Sequence, residues 1–254
     1  MTHTSTTKLK FLNKRIVAFL ISSLLLGAAN AAESININSE ADIQTIKTNL
    51  ANRSADLKVK SVKATPIPGL YEVFANGNIF YMDKSAHFVL VNGMLIDDVE
   101  KKNITEERYK TLTRIEFNQL PFQNAIEIKK GTGAYKFAVF SDPECPFCKK
   151  LEQGLEKLKV TDYTAYVFLF PLKELHPDAA QKSESIWCAK DKTIAWSDWM
   201  LTDKTPEKLT CNNPLKDNEQ LADSLGVLGT PTIYLQDGSM TQSPQALIAA
   251  MNQK

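Results

Sequence analysis

The spacing of apolar positions divides the chain into a helical stretch, a group of short strands, a polar helical stretch and a longer alternation of strands and helices. Ile43, Ile46, Lys47 and Leu50 recur every three to four residues, and Ser39 stands where this helix needs its N-cap. Strand-like runs follow at Leu57–Val62, Leu70–Phe74, Ile79–Met82 and Phe88–Val91. Pro66 and Pro68-Gly69 break the chain before the second run, and Asn76-Gly77-Asn78 reads as a hairpin turn before the third. Residues 100–120 are polar, with Tyr109, Leu112, Ile115 and Leu120 repeating on one face. Thr105-Glu106-Glu107-Arg108 opens that helix with acids in its first turn, and Pro121 ends it.

Beyond Phe122 the pattern gives strand Tyr135–Phe140, a helix from Cys145 to about Leu158, and strand Tyr163–Phe170. A Trp-rich helical stretch over Pro177–Met200 follows, then a helical segment at Asp217–Leu225, strand Thr232–Leu235 and a terminal helix over Pro244–Asn252. Strand–helix–strand, then helices, then a late strand before a final helix is the layout of a thioredoxin-like α/β sandwich. The expected organisation is a leader at 1–31, a small α+β domain at 32–100, a linker helix at 101–121 and an α/β domain at 122–254. The α+β domain has too thin a core to be comfortable alone, so pairing with a second copy through an exposed strand edge would help it. Its alternative is a monomeric appendage.

The leader changes the charge. Lys8, Lys10, Lys14 and Arg15 precede an apolar run from Ile16 to Leu26 that is too short to span a bilayer, and Ala29-Asn30-Ala31 supplies the small residues of a cleavage site. Cleavage after Ala31 would leave 26 basic against 29 acidic residues, a net charge of −3, with no basic stripe. Nucleic acid and anionic membrane surfaces are thereby poor partners.

All four cysteines follow the leader, and export would place them in an oxidising space. Cys145-Pro146-Phe147-Cys148 lies between a buried strand and a helix start, the arrangement of a redox pair. Unpaired N–H groups there favour a thiolate at Cys145, while Cys148 lies one turn deeper. Cys145 is therefore the expected nucleophile and Cys148 the resolving thiol. Asp142 and Glu144 would raise the Cys145 pKa if their carboxylates approached it, and Lys149 and Lys150 would lower it. Cys188 and Cys211 remain as a second, structural pair. Zinc is the competing reading, but 188–211 is not a metal knuckle. Neither a metal nor an organic cofactor is called for.

Gly229-Thr230-Pro231-Thr232 opens the late strand. A cis peptide bond at Pro231 would bring the Thr230 backbone beside the cysteines to pair with a substrate peptide, and an ordinary trans proline at a strand start is the alternative. His87 and His176 read as surface residues.

Phe140-Ser141-Asp142-Pro143-Glu144-Cys145-Pro146-Phe147-Cys148-Lys149, Ile186-Trp187-Cys188-Ala189-Lys190-Asp191-Lys192 and Gly226-Val227-Leu228-Gly229-Thr230-Pro231 occur in the order that resembles the bacterial periplasmic disulfide isomerases of the DsbC/DsbG type. The resemblance covers nearly all of the chain after the leader. It implies a periplasmic homodimer in which a cystatin-like N-terminal domain dimerises and a linker helix joins it to a thioredoxin-like catalytic domain. It further implies Cys145–Cys148 as the redox pair, Cys188–Cys211 as a permanent disulfide, and a cis Pro231. Misoxidised exported proteins would be the substrates, held in an apolar cleft with chaperone activity. A membrane thiol reductase of the DsbD type would be the electron donor. Pro-Phe between the cysteines departs from the Gly-Tyr and Pro-Tyr best known in the family. A DsbG-like reductase of single cysteines, a DsbA-like dithiol oxidase and a non-enzymatic holdase therefore stand as alternatives.

Overall fold

The computed structural model describes residues 40–157 and 162–252, so the leader, its cleavage site and the Ser39 cap lie outside the described residues. Among the described residues no helix is long and apolar enough to cross a membrane. They form two compact units, one holding 40–73 and 81–90, the other the hairpin tip 74–80 and the chain from Val91 onward.

In the first region, helix α1 covers 40–53 and buries Ile46 and Leu50, one turn apart, while Lys47 is exposed. Strands β1 (Val59–Ala64), β2 (Leu70–Ala75), β3 (Asn78–Asp83) and β4 (Val89–Leu90) make a sheet in that order. The turn between β2 and β3 is the pair Asn76-Gly77, at φ 47° and 74°, the left-handed conformation that a two-residue hairpin requires.

Further on, β5 (Ile96–Asp97) and β6 (Lys102–Asn103) form a small ribbon leading into helix α2 (Ile104–Leu112). The Asn103 side chain caps α2 by accepting from the Glu106 N–H at 3.0 Å. The linker helix expected over 101–121 is much shorter. Thr113 closes it, its N–H and hydroxyl both donating to the Tyr109 carbonyl, at 3.0 and 2.7 Å. Ile115 then gives its N–H to the Gly238 carbonyl at 3.0 Å, so Ile115 and Leu120 do not share a helical face with Tyr109.

The α/β region contains β7 (Ile126–Lys130), β8 (Tyr135–Ser141), α3 (Pro146–Lys157), β9 (Tyr163–Leu169), α4 (Ala179–Cys188), α5 (Lys192–Thr202), α6 (Leu215–Leu225), β10 (Thr232–Leu235), β11 (Met240–Thr241) and α7 (Pro244–Asn252). Its sheet runs β11-β10-β8-β9-β7, with β8 and β9 parallel and the other pairs antiparallel. Central β8 buries both faces. Phe137 and Val139 join a core with Leu151, Leu155, Ile186 and Trp196, whereas Ala138 and Phe140 pack with Phe117, Phe168 and Tyr234. This two-sided burial explains its unbroken apolar sequence.

Two features differ from the sequence reading. β7 was not expected; it alternates buried Ile126 and Ile128 with exposed Glu127 and Lys129. The stretch Pro177–Met200 is two helices: Ala189 ends α4 in an extended conformation at ψ 149°, and Asp191 caps α5, accepting from the Ile194 N–H at 3.0 Å.

Candidate active site

Strand β8 ends at Ser141, and the turn Asp142–Glu144 brings Cys145 to the residue before the first turn of α3. The Cys145 N–H donates to the Asp142 carbonyl at 3.1 Å, and its own carbonyl accepts from the Lys149 N–H at 3.1 Å. Pro146 opens the helix, where its lack of an N–H costs nothing. Cys145 and Cys148 are both free thiols and both buried, Cys148 completely. The loop before β10 completes the site. Its Thr230-Pro231 peptide bond is cis, and the Cys145 thiol donates to the Thr230 carbonyl at 3.3 Å.

The two thiols are driven apart electrostatically. Cys145 is lowered to about 5, chiefly by the hydrogen bond from the Cys148 thiol, with further donation from the Thr230 hydroxyl and the N–H groups of Cys148 and Phe147; burial opposes this. The Thr230 hydroxyl is buried and makes no hydrogen bond while Cys145 is a thiol, so it is available to the thiolate. Cys148 moves strongly upward, first because burial disfavours its charge and second because it donates to Cys145. At neutral pH the pair therefore holds one thiolate, on Cys145, and one proton, on Cys148.

The neighbouring charges are engaged elsewhere. The Asp142 carboxylate is fully buried and accepts from the Glu144 N–H at 2.7 Å, the Leu172 N–H at 2.8 Å and His176 Nδ1 at 2.9 Å. Glu144 pairs with Lys182, and Lys149 with Asp203. Both ammonium groups also lie over the Trp199 ring, at 3.4 Å for Lys182 and 3.9 Å for Lys149. Trp199 in turn donates from Nε1 to the Pro143 carbonyl at 2.6 Å, securing the turn that carries Cys145. None of Asp142, Glu144, Lys149, Lys182 and Asp203 dominates the Cys145 titration.

His176 is not the simple surface residue expected from its place before a proline. Its contact with buried Asp142 holds the side chain partly inside the site and raises its pKa. Glu152, one turn beyond Cys148, carries no sequence signal of its own. Burial pushes its carboxyl up to about 7 although Trp196 Nε1 donates to it at 3.0 Å. Cys188 and Cys211 are bonded to each other, away from the thiol pair in sequence. Around the site Phe147, Leu175 and Leu228 keep large apolar side chains exposed.

Comparison with known proteins agrees with this chemistry. The disulfide bond isomerase protein N-terminal domain family (DsbC_N) matches residues 29–106, and the thioredoxin-like domain family matches 122–253. A probable thiol:disulfide interchange protein DsbC of Bordetella avium is 37% identical over 187 residues, 74% of this chain, and the match spans 65% of that relative's length. The protein of the same name from Bordetella parapertussis is 36% identical over 193 residues, 76% of this chain and 67% of its own. A solved disulfide interchange protein from Neisseria gonorrhoeae aligns with 53% of this chain and 100% of its own, at 40% identity and a TM-score of 0.49. With an N-terminal disulfide-isomerase domain followed by a thioredoxin-like domain carrying two free thiols at a helix start, the chain belongs to the DsbC family of thiol:disulfide interchange proteins.

Proposed function

We propose that this chain is an exported protein disulfide isomerase that rearranges wrong disulfides in other exported proteins. One observation carries the reading: two free thiols at the start of α3, with the Cys145 sulfur 3.3 Å from the Thr230 carbonyl beside the cis proline. The Cys145 thiolate attacks a substrate disulfide; the substrate S–S bond breaks, a Cys145–substrate S–S bond forms, and one substrate thiolate leaves. A second substrate thiolate then attacks the substrate sulfur of the mixed disulfide. This forms a rearranged substrate disulfide and returns the Cys145 thiolate, with no net change in electrons. Alternatively Cys148 gives its proton to the departing substrate sulfur and bonds to Cys145. The substrate leaves reduced, and the oxidised pair needs two electrons from a membrane thiol reductase of the DsbD type.

Thr230 and Pro231 would present the backbone edge on which an extended substrate docks. Exposed Phe147, Leu175 and Leu228 would hold apolar segments of unfolded clients, which supports chaperone activity. Residues 32–100 would pair two copies. Support comes from β4, an edge strand of its sheet, where Val89 and Leu90 are exposed next to exposed Phe88. Cys188–Cys211 would be structural. The periplasm follows from a cleaved leader at 1–31.

The test is recovery of a scrambled, multi-disulfide substrate in a glutathione buffer. The full chain is expected to accelerate recovery, and Cys145→Ala to leave only the uncatalysed rate. Normal recovery with Cys145→Ala would assign the protein a holdase role without thiol chemistry.

A further inference from the structure

His176 has no part in the exchange described above, yet its side chain is tied to the turn that carries Cys145. We infer that His176 is a positioning residue whose imidazolium, anchored on buried Asp142, favours the Cys145 thiolate and makes that thiolate sensitive to pH. The inference rests on Cys145 being the attacking thiol.

Asp142 is the junction. Its backbone carbonyl accepts the Cys145 N–H at 3.1 Å, and its carboxylate accepts His176 Nδ1 at 2.9 Å. A carboxylate oxygen only accepts, so Nδ1 carries a proton, and Nε2 is the nitrogen at which the ring gains or loses charge. The ring is held in place from its own backbone: the His176 N–H donates to the Leu172 carbonyl at 2.8 Å, and the His176 carbonyl accepts from Ala179 at 3.0 Å. A side-chain exposure of 24% leaves it able to exchange protons with water.

The charged groups that act on it most strongly are all negative. Asp142 acts most strongly through its hydrogen bond, and Cys145 and Glu144 add attraction through space; all three favour the imidazolium, and burial opposes it. Glu144 is partly neutralised by Lys182 from α4, and Lys173, on the His176 loop, is paired with Glu219 of α6. Coupling between two titrating groups is reciprocal. If the Cys145 thiolate favours the imidazolium, the imidazolium favours the thiolate by the same amount. As pH rises through the raised His176 pKa, the site loses a positive charge and Cys145 loses that stabilisation.

The test uses the full chain and the variant H176N, whose amide N–H stands where Nδ1–H does but cannot become charged. Thiolate absorbance, followed against pH with the pair reduced, reads Cys145 directly. H176N is expected to raise the Cys145 pKa, by less than removing the Cys148 donor does, because the hydrogen bond from Cys148 is the largest influence on that thiol. A low parent value left unchanged by H176N overturns this inference alone. A parent Cys145 that titrates like an ordinary free thiol overturns the attacking-thiol reading, and this inference with it. A second measurement does not depend on the histidine variant folding. The His176 ring titration, followed by NMR, is expected to move down in Cys145→Ser relative to the reduced parent, and an unmoved titration overturns the coupling.

Discussion

The Cys145 sulfur lies 3.3 Å from the Thr230 carbonyl oxygen, a contact that closes across 85 positions of sequence. It joins the start of α3 to the loop before β10 and explains how a helix-start thiol and a backbone edge come to share one site. The contact belongs to the protonated thiol, because only S–H can donate to a carbonyl. On ionisation Cys145 becomes an acceptor, and donation from Cys148 and the Thr230 hydroxyl takes over. The Thr230 carbonyl is then released as an acceptor for other N–H groups.

Removing the Cys148 donor tests this balance. Cys148→Ala is expected to raise the Cys145 pKa by roughly one to two units, and Cys148→Ser, which keeps a hydroxyl donor, by less. The pH dependence of alkylation, read at Cys145 by mass spectrometry, checks both. The sign for stability follows from a depressed folded-state pKa. The thiolate stabilises the reduced fold fully above the unfolded value of 9.0, and this is lost as pH falls through about 5. Denaturant midpoints of the reduced parent, compared with Cys145→Ser, are expected to show that loss across the same window.

The Cys188–Cys211 bond joins residues 23 apart in sequence. Replacing both cysteines by alanine is expected to cost about 3 kcal/mol, the loop-closure entropy returned to the unfolded chain. Alkylation of Cys145 is expected to change little, since the Cys188–Cys211 bond lies outside the turn and the loop that hold the thiol. Urea unfolding together with the alkylation rate separates the two effects.

Glu152 offers a pH test of the core beside the site. Its folded-state pKa is raised from 4.5 to about 7 by burial, so the stability tied to its neutral form is complete below 4.5 and is lost as pH rises through about 7. Glu152→Gln remains neutral and can still accept from Trp196 Nε1. The variant is expected to be more stable than the parent by roughly 1–2 kcal/mol above about pH 7 and to match it in acid. Thermal or urea unfolding at both pH values reads the difference.

Much of this site could be read before the fold was known. The strand ending at Ser141, the turn and the helix from Pro146 follow from a long apolar run, a Pro-containing turn and the repeat of Cys148, Leu151 and Leu155. Each is a local signal. β7 is different: five residues with only two isoleucines show their strand character once β9 pairs with them. The break between α4 and α5 was hidden because apolar residues continue on both sides of Ala189–Asp191, and the cap at Asp191 is a single side chain. His176 could not be recognised from its surroundings. Its partner Asp142 lies 34 positions away, and only the parallel pairing of β8 with β9 carries the two loops to the same end of the sheet.

The most direct test of the account is to trap the exchange at its first bond. Cys148→Ser removes the resolving thiol, so a mixed disulfide with a scrambled, multi-cysteine substrate should persist. Mass spectrometry is expected to find the substrate bonded to Cys145, with no adduct when Cys145 is also replaced by serine. Failure of Cys148→Ser to hold any substrate, or an adduct that survives loss of Cys145, would contradict the account.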